Sequence, residues 1–122
     1  MPREAMVQVE IVLPAGARAT AAGARVIVRV EDVTRADAAA RVAGEVVAEW
    51  PRTARRGRAT GAPLQVTVPV RVADERADYS VRVHADADGD GEVSAGDYVS
   101  TESYPVLTRG RGSVVRVTLR AV

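Results

Sequence analysis

Hydrophobic and polar residues alternate with a period of two over most of this chain. In MVQVEIVL, Val7, Val9, Ile11 and Leu13 share one face while Gln8 and Glu10 take the other. That spacing predicts a half-buried β-strand. ARVIVRVEDV repeats it, with Val26, Val28 and Val30 opposite Arg25, Arg29 and Glu31. LQVTVPVRV sets Val66, Val68, Val70 and Val72 inward, opposite Gln65, Thr67, Pro69 and Arg71. Pro69 has no N–H to give to a ladder, so this strand is expected at a sheet edge or at a bulge. YSVRVHA, YVSTESYPVL and SVVRVTLR complete six clear candidates. β-Branched valine suits a pleated surface, and short strands punctuated by Gly, Pro and Asp read as an antiparallel sandwich or barrel.

One stretch obeys a different rhythm. In TRADAAARVAGEVVAEWP, Ala39, Val42, Ala43, Val46, Val47 and Trp50 fall at helical spacing, and Thr34 with Asp37 offers an N-terminal cap. Against a helix, Gly44 would sit in its middle at a cost of about 1 kcal/mol relative to Ala. Periodicity alone slightly favours the helix. Further on, Tyr79 opens a strand after a polar turn, as in the tyrosine corner of Greek-key sandwiches. A plain tyrosine at the margin of the core fits equally well.

The most informative segment is DADGDGEVSAGD. Asp86, Asp88 and Asp90 stand at positions 1, 3 and 5 of a twelve-residue loop, with Gly91 at the sharp turn of position 6. Glu92 at position 7 would offer its carbonyl, Ser94 at 9 its hydroxyl or a water, and Asp97 closes the loop at 12. Val93 is expected to be buried. Alternate residues of a tight loop converge on one point, so their oxygens can surround a hard cation. Without one, neighbouring carboxylates about 5 Å apart repel by about 1–3 kcal/mol per pair. The expected ligand is Ca²⁺, ahead of Mg²⁺, which keeps more of its water. Asp97 replaces the usual Glu, as in dockerin loops, although strand patterns flank this loop where dockerins have helices. The plain alternative is an acidic hairpin loop that binds nothing.

Composition narrows the chemistry. The chain has 122 residues, within the range of one domain, here 1–122. It has no cysteine, so no disulfide, thiol nucleophile, thiolate zinc site or lipid-attachment cysteine is available in it. All seventeen basic residues are arginine, which removes Schiff-base and phosphate-loop lysines. The single His84 leaves little for histidine catalysis. Sharing its strand face with Ser80 and Arg82, it is expected to be exposed, or else to stand behind the metal two residues before Asp86. No catalytic residue is assigned, and the chain is not expected to be an enzyme. A net charge of +1 excludes a generally basic nucleic-acid binder. That +1 is a partition: five of the sixteen acids lie between Asp86 and Asp97, leaving a body of +6. Arg52, Arg55, Arg56 and Arg58 crowd PRTARRGRATGAP, which reads as a solvated loop, and Arg109 and Arg111 as an exposed turn. No stretch approaches the roughly 20 apolar residues of a membrane span, and the start lacks the segments of a signal peptide. The compartment is expected to be the periplasm or cell surface if a leader is missing, and the cytoplasm if Met1 is the native start.

The order IVLPAGARA, VRVEDVTRADAAA, VPVRV and YSVRVHADADGDGEVSAGDYVSTESYPVLTRG resembles the YbaY/YscW family of small bacterial envelope lipoproteins. LPAGA, EDVTRADA and SYPVLTRG carry the resemblance most clearly. It implies an immunoglobulin-like or transthyretin-like sandwich of about seven strands. It also implies a non-enzymatic role as pilot or chaperone for an outer-membrane secretin, hence a protein partner in the envelope. By the same resemblance Thr34 to Arg41 is loop and Val42 to Trp50 is strand. A carbohydrate-binding or adhesion module is the rival reading, and it would need exposed aromatic platforms from Trp50, Tyr98 or Tyr104.

Overall fold

The computed structural model of the chain describes residues 2–14, 23–35, 39–51 and 63–122. Eight strands appear in it: β1 (Arg3–Val12), β2 (Arg25–Asp32), β3 (Arg41–Glu49), β4 (Leu64–Val72), β5 (Tyr79–Asp86), β6 (Tyr98–Ser100), β7 (Pro105–Val106) and β8 (Val114–Ala121). They follow one hydrogen-bonded path, β3-β2-β5-β6-β8-β1-β4, with β7 beside β5. Every pairing is antiparallel except that of β1 with β8. The result is an all-β, nearly closed, barrel-like sheet. No helix occurs among the described residues.

The period-two faces turn inward as their spacing predicts. Val7, Val9, Ile11, Val26, Val28, Val30, Val68, Val70 and Val72 are each at most 1% exposed. Burying such a side chain contributes roughly 1.5–3 kcal/mol. Few large rings are available, so interlocking valines do most of the filling. Trp50, Tyr79 and Tyr98 are buried with them. The Tyr79 hydroxyl accepts the backbone N–H groups of Ala73 at 3.2 Å and Asp74 at 3.4 Å. It ties the β4–β5 turn down as a tyrosine corner does.

The stretch with helical spacing is strand β3, as the family resemblance implied. Arg41 to Glu49 are extended, one residue earlier than expected, and Asp37 of the candidate cap lies outside the described residues. A bulge explains the misleading rhythm. Val30 pairs with Gly44 but Glu31 with Val42, so Ala43 is an extra residue. It breaks the phase of the strand. Val42 and Val47 thus sit outward at 53% and 55% exposure, while Trp50 points into the core.

Gly44 has a packing role of its own. A Cβ there would lie 2.3 Å from the carbonyl oxygen of Pro69 and 3.2 Å from Val68 Cγ1. Only glycine lets β3 approach β4 this closely and bring the two ends of the path together. Pro69 fits the same seam. The N–H of Gln8 bonds Ser113, so even positions of β1 turn their backbone toward β8 and odd ones toward β4. Pro69 opposes the even Met6. Its missing N–H therefore faces away from β1, at the free edge, where no ladder bond is lost.

The expected strand YVSTESYPVL is split. Residues 101–103 leave the ladder between β6 and β7, and the Ser100 hydroxyl accepts the Val83 N–H at 2.9 Å in place of a strand carbonyl. The turn after β7 is exposed at Arg109 and Arg111, as expected, and both guanidinium groups hold Asp78. The Arg52, Arg55, Arg56 and Arg58 loop lies outside the described residues. No helix among those residues is long and apolar enough to cross a membrane.

Candidate functional site

The acidic segment joins β5 to β6 at one end of the sheet. Asp86 is the last residue of β5 and fully buried. Its Oδ1 accepts the Gly89 N–H at 3.1 Å and its Oδ2 the Gly91 N–H at 2.7 Å. Asp88 Oδ1 takes the N–H of Asp90, and Asp90 Oδ1 that of Glu92. Each carboxylate thus winds the chain around itself. Gly89, Gly91 and Gly96 supply the left-handed turns at φ +74°, +81° and +98°, which side chains rarely adopt. One carboxylate oxygen each of Asp86, Asp88 and Asp90 lies within 4.8 Å of the others. Oxygens bound to calcium at about 2.3–2.6 Å stand up to roughly 5 Å apart, so this spacing suits the ion.

Asp97 closes the loop and is 1% exposed. Its Oδ1 accepts the Ala87 N–H at 2.9 Å, and its Oδ2 accepts the Ser94 N–H at 3.1 Å. His84 Nε2 lies 2.8 Å from the same Oδ2. Burial pushes the Asp97 carboxyl up, but the hydrogen bonds from His84, Ala87 and Ser94, with the charge of His84, outweigh it. The carboxyl is held below its ordinary value. The backbone of Asp97 also accepts the Val122 N–H at 3.0 Å, so the loop is fastened to the end of β8.

The residues singled out by spacing fall into distinct places. Asp86, Asp88 and Asp90 converge; Asp97 approaches Asp86, and a ring nitrogen of His84 joins those two within 4.8 Å. Ser94 is half-buried, and its Oγ is enclosed without a hydrogen-bond partner. Glu92 points outward. Two expectations fail. Val93 is 58% exposed rather than buried, because no helix pair stands over this loop to cover it. His84 is not an exposed residue: its side chain is only 14% exposed. Period two places it outward, but the loop folds back until Asp97 meets it. Its position two residues before Asp86 is the signal that pointed there.

The aromatic rings are engaged elsewhere. Trp50 and Tyr98 are buried, and the Tyr104 hydroxyl binds the backbone of Thr118. No exposed aromatic platform for a sugar exists among the described residues.

The fold is thus an all-β, nearly closed, barrel-like sheet of eight strands among the described residues, with the acidic loop at one end. Residues 2–119 match the family model described as "Type III secretion system lipoprotein chaperone (YscW)", and the chain belongs to that family. No curated protein matches it. Among solved structures it is similar to an alternative pilotin from the type II secretion system of Vibrio cholerae. The two share 20% identity over 98% of each chain, with a TM-score of 0.75, and hence the same fold.

Proposed function

We propose that this protein is a non-enzymatic, calcium-stabilised module of the bacterial envelope that binds a protein partner as a secretion chaperone does. Family membership over residues 2–119 carries the partner reading. The partner class it suggests is an outer-membrane secretin, and the compartment is the periplasmic side of the envelope. The tyrosine corner at Tyr79 favours an immunoglobulin-like relationship within the all-β class.

The calcium reading rests on the convergence of Asp86, Asp88 and Asp90, and on an enclosed hydroxyl of Ser94, in the same loop, that has no hydrogen-bond partner among the described residues. A buried, unpaired hydroxyl costs about 1–3 kcal/mol, and a cation or its bound water would satisfy this one. Asp86, Asp88, Asp90, Ser94 and Asp97 would hold the ion, with the carbonyl of Glu92. His84 would orient Asp97 from behind, in the way outer hydrogen bonds orient metal ligands. Extracellular calcium modules bind at about 10⁻⁴–10⁻³ M, which suits the envelope. Isothermal titration with Ca²⁺ and with Mg²⁺ tests the site: one calcium per chain is expected, and no heat from calcium refutes it. Mixing the chain with the purified C-terminal region of a secretin from the same genome tests the partner. A stable complex on gel filtration is expected, and separate elution refutes that part.

A further inference from the structure

A cleft opens on the outer face of the sheet where residues 101–103 leave the ladder between β6 and β7. Its volume is about 330 Å³, and it is lined by Glu31 and Val33, by Ser80 and Arg82 of β5, and by residues 100–103. Both ends of the excursion are pinned to β5. The Ser100 hydroxyl accepts the Val83 N–H at 2.9 Å. The Tyr104 carbonyl accepts the Val81 N–H at 3.0 Å, and the Tyr104 N–H donates to the Ser80 hydroxyl at 3.0 Å. A cleft held in this way needs no ordering before it binds.

That last bond leaves an acceptor idle. In an antiparallel pair Val81 would exchange both backbone bonds with Tyr104. Because the Tyr104 N–H turns to Ser80, the Val81 carbonyl receives no hydrogen bond among the described residues. Val81 is 2% exposed and its side chain belongs to the core, so it lines the cleft with its backbone. Buried carbonyls without a donor are uncommon. Glu31, opposite Ser80 in the β2–β5 register and 8% exposed, adds a second acceptor. Its Oε1 accepts Arg82 Nε at 2.9 Å, and its Oε2 accepts nothing among the described residues. Exposed Glu102 gives Oε2 to the Tyr104 hydroxyl at 3.3 Å and keeps Oε1. Two carboxylates against the one guanidinium of Arg82 leave the lining with a net charge of −1.

We infer that this cleft docks a basic side chain, arginine or lysine, from an extended segment of the protein partner. Its cationic head donates to Glu31 Oε2, Glu102 Oε1 and the Val81 carbonyl. Its aliphatic stem lies along Val33, which is 37% exposed. An acidic side chain would set acceptors against acceptors. A bare divalent cation fits less well, because two carboxylates fall short of the three converging side chains gathered in the acidic loop. The inference deepens the chaperone reading and rests on it; it is independent of calcium.

The test follows backbone amide shifts by NMR while the whole chain is titrated with a capped alanine pentapeptide bearing one central arginine, and then with lysine in its place. The same peptide with glutamate is the control. Shifts at Val81, Arg82, Thr101, Glu102 and Ser103 are expected with the basic peptides alone. Glu31→Gln should weaken binding roughly tenfold. Glu102→Gln, at an exposed position that the fold does not depend on, should weaken it about threefold. Shifts confined to the acidic loop, equal shifts with the glutamate peptide, or undiminished binding by either folded variant would overturn the inference. Secretin binding separates the two readings. A Glu31→Gln/Glu102→Gln chain that binds the secretin region as tightly as wild type removes the cleft and leaves the chaperone reading intact. A basic peptide held in the cleft of a chain that ignores secretin does the reverse.

Discussion

Replacing Gly44 with alanine tests the seam that nearly closes the sheet. The added methyl would stand 2.3 Å from the Pro69 carbonyl oxygen, 3.2 Å from its carbonyl carbon and 3.2 Å from Val68 Cγ1. The nearest atom is backbone, so no side-chain rotation relieves the contact, and β3 or β4 must move by about 1 Å. Overpacking of this kind costs typically 1–3 kcal/mol. Alanine recovers about 0.5–1 kcal/mol of the backbone entropy that glycine loses. The net expectation is a destabilisation of about 1–2 kcal/mol. At this chain length each kcal/mol lowers the midpoint by roughly 3–6 °C. Thermal melts followed by circular dichroism measure it. Gly112 is the control, because a Cβ there meets nothing nearer than 4.0 Å; Gly112→Ala should be neutral or raise stability by about 0.4–1 kcal/mol. A Gly44→Ala melt equal to or above wild type would refute the close approach of the two edges.

Other expectations follow from single contacts. Tyr79→Phe removes the acceptor for two backbone N–H groups and should cost about 1–3 kcal/mol in urea unfolding; an unchanged midpoint would mean the corner holds nothing. Asp97 has a depressed carboxyl pKa in the folded chain. Its contribution is therefore present above the ordinary aspartate value of 3.8 and lost as pH falls through the lower folded value. Stability measured from neutral pH downward should show this acid limb in wild type and a shallower one in Asp97→Asn; identical profiles would contradict it. Thr108→Val leaves the buried Ala77 carbonyl without its donor and should lower the melting midpoint, whereas Thr67→Val on the exposed face of β4 should leave it nearly unchanged.

Much of the fold was legible because valine alternation is a direct record of which face is buried. The inward sets of β1, β2 and β4 are those the spacing predicts. Elsewhere a local device overrode the period. In β3, the extra residue at Ala43 shifts the phase, and two valines left on the outer face complete a false helical pattern. Gly44, which counted against a helix, answers to a contact with a strand some 25 residues away, and no local window contains that information. In the site, the register of Asp86, Asp88 and Asp90 was legible because a tight loop makes alternate residues converge. The burial of His84 was not, since it depends on where the loop's last residue returns. Val93 shows the converse: an expectation borrowed from helix-flanked loops does not carry over to one flanked by strands.

Calcium binding by the loop between β5 and β6 is the central property proposed for this protein. A single thermal-melt series decides it most directly, with chelator-stripped protein in the absence and presence of about 10 mM Ca²⁺. If the dissociation constant lies near 10⁻³ M, linkage stabilises the fold by about 1.4 kcal/mol, a midpoint rise of about 5 °C. Asp90→Ala should fold and show no such rise. A wild-type midpoint that stays unchanged in calcium, or a rise that persists in Asp90→Ala, would contradict the account.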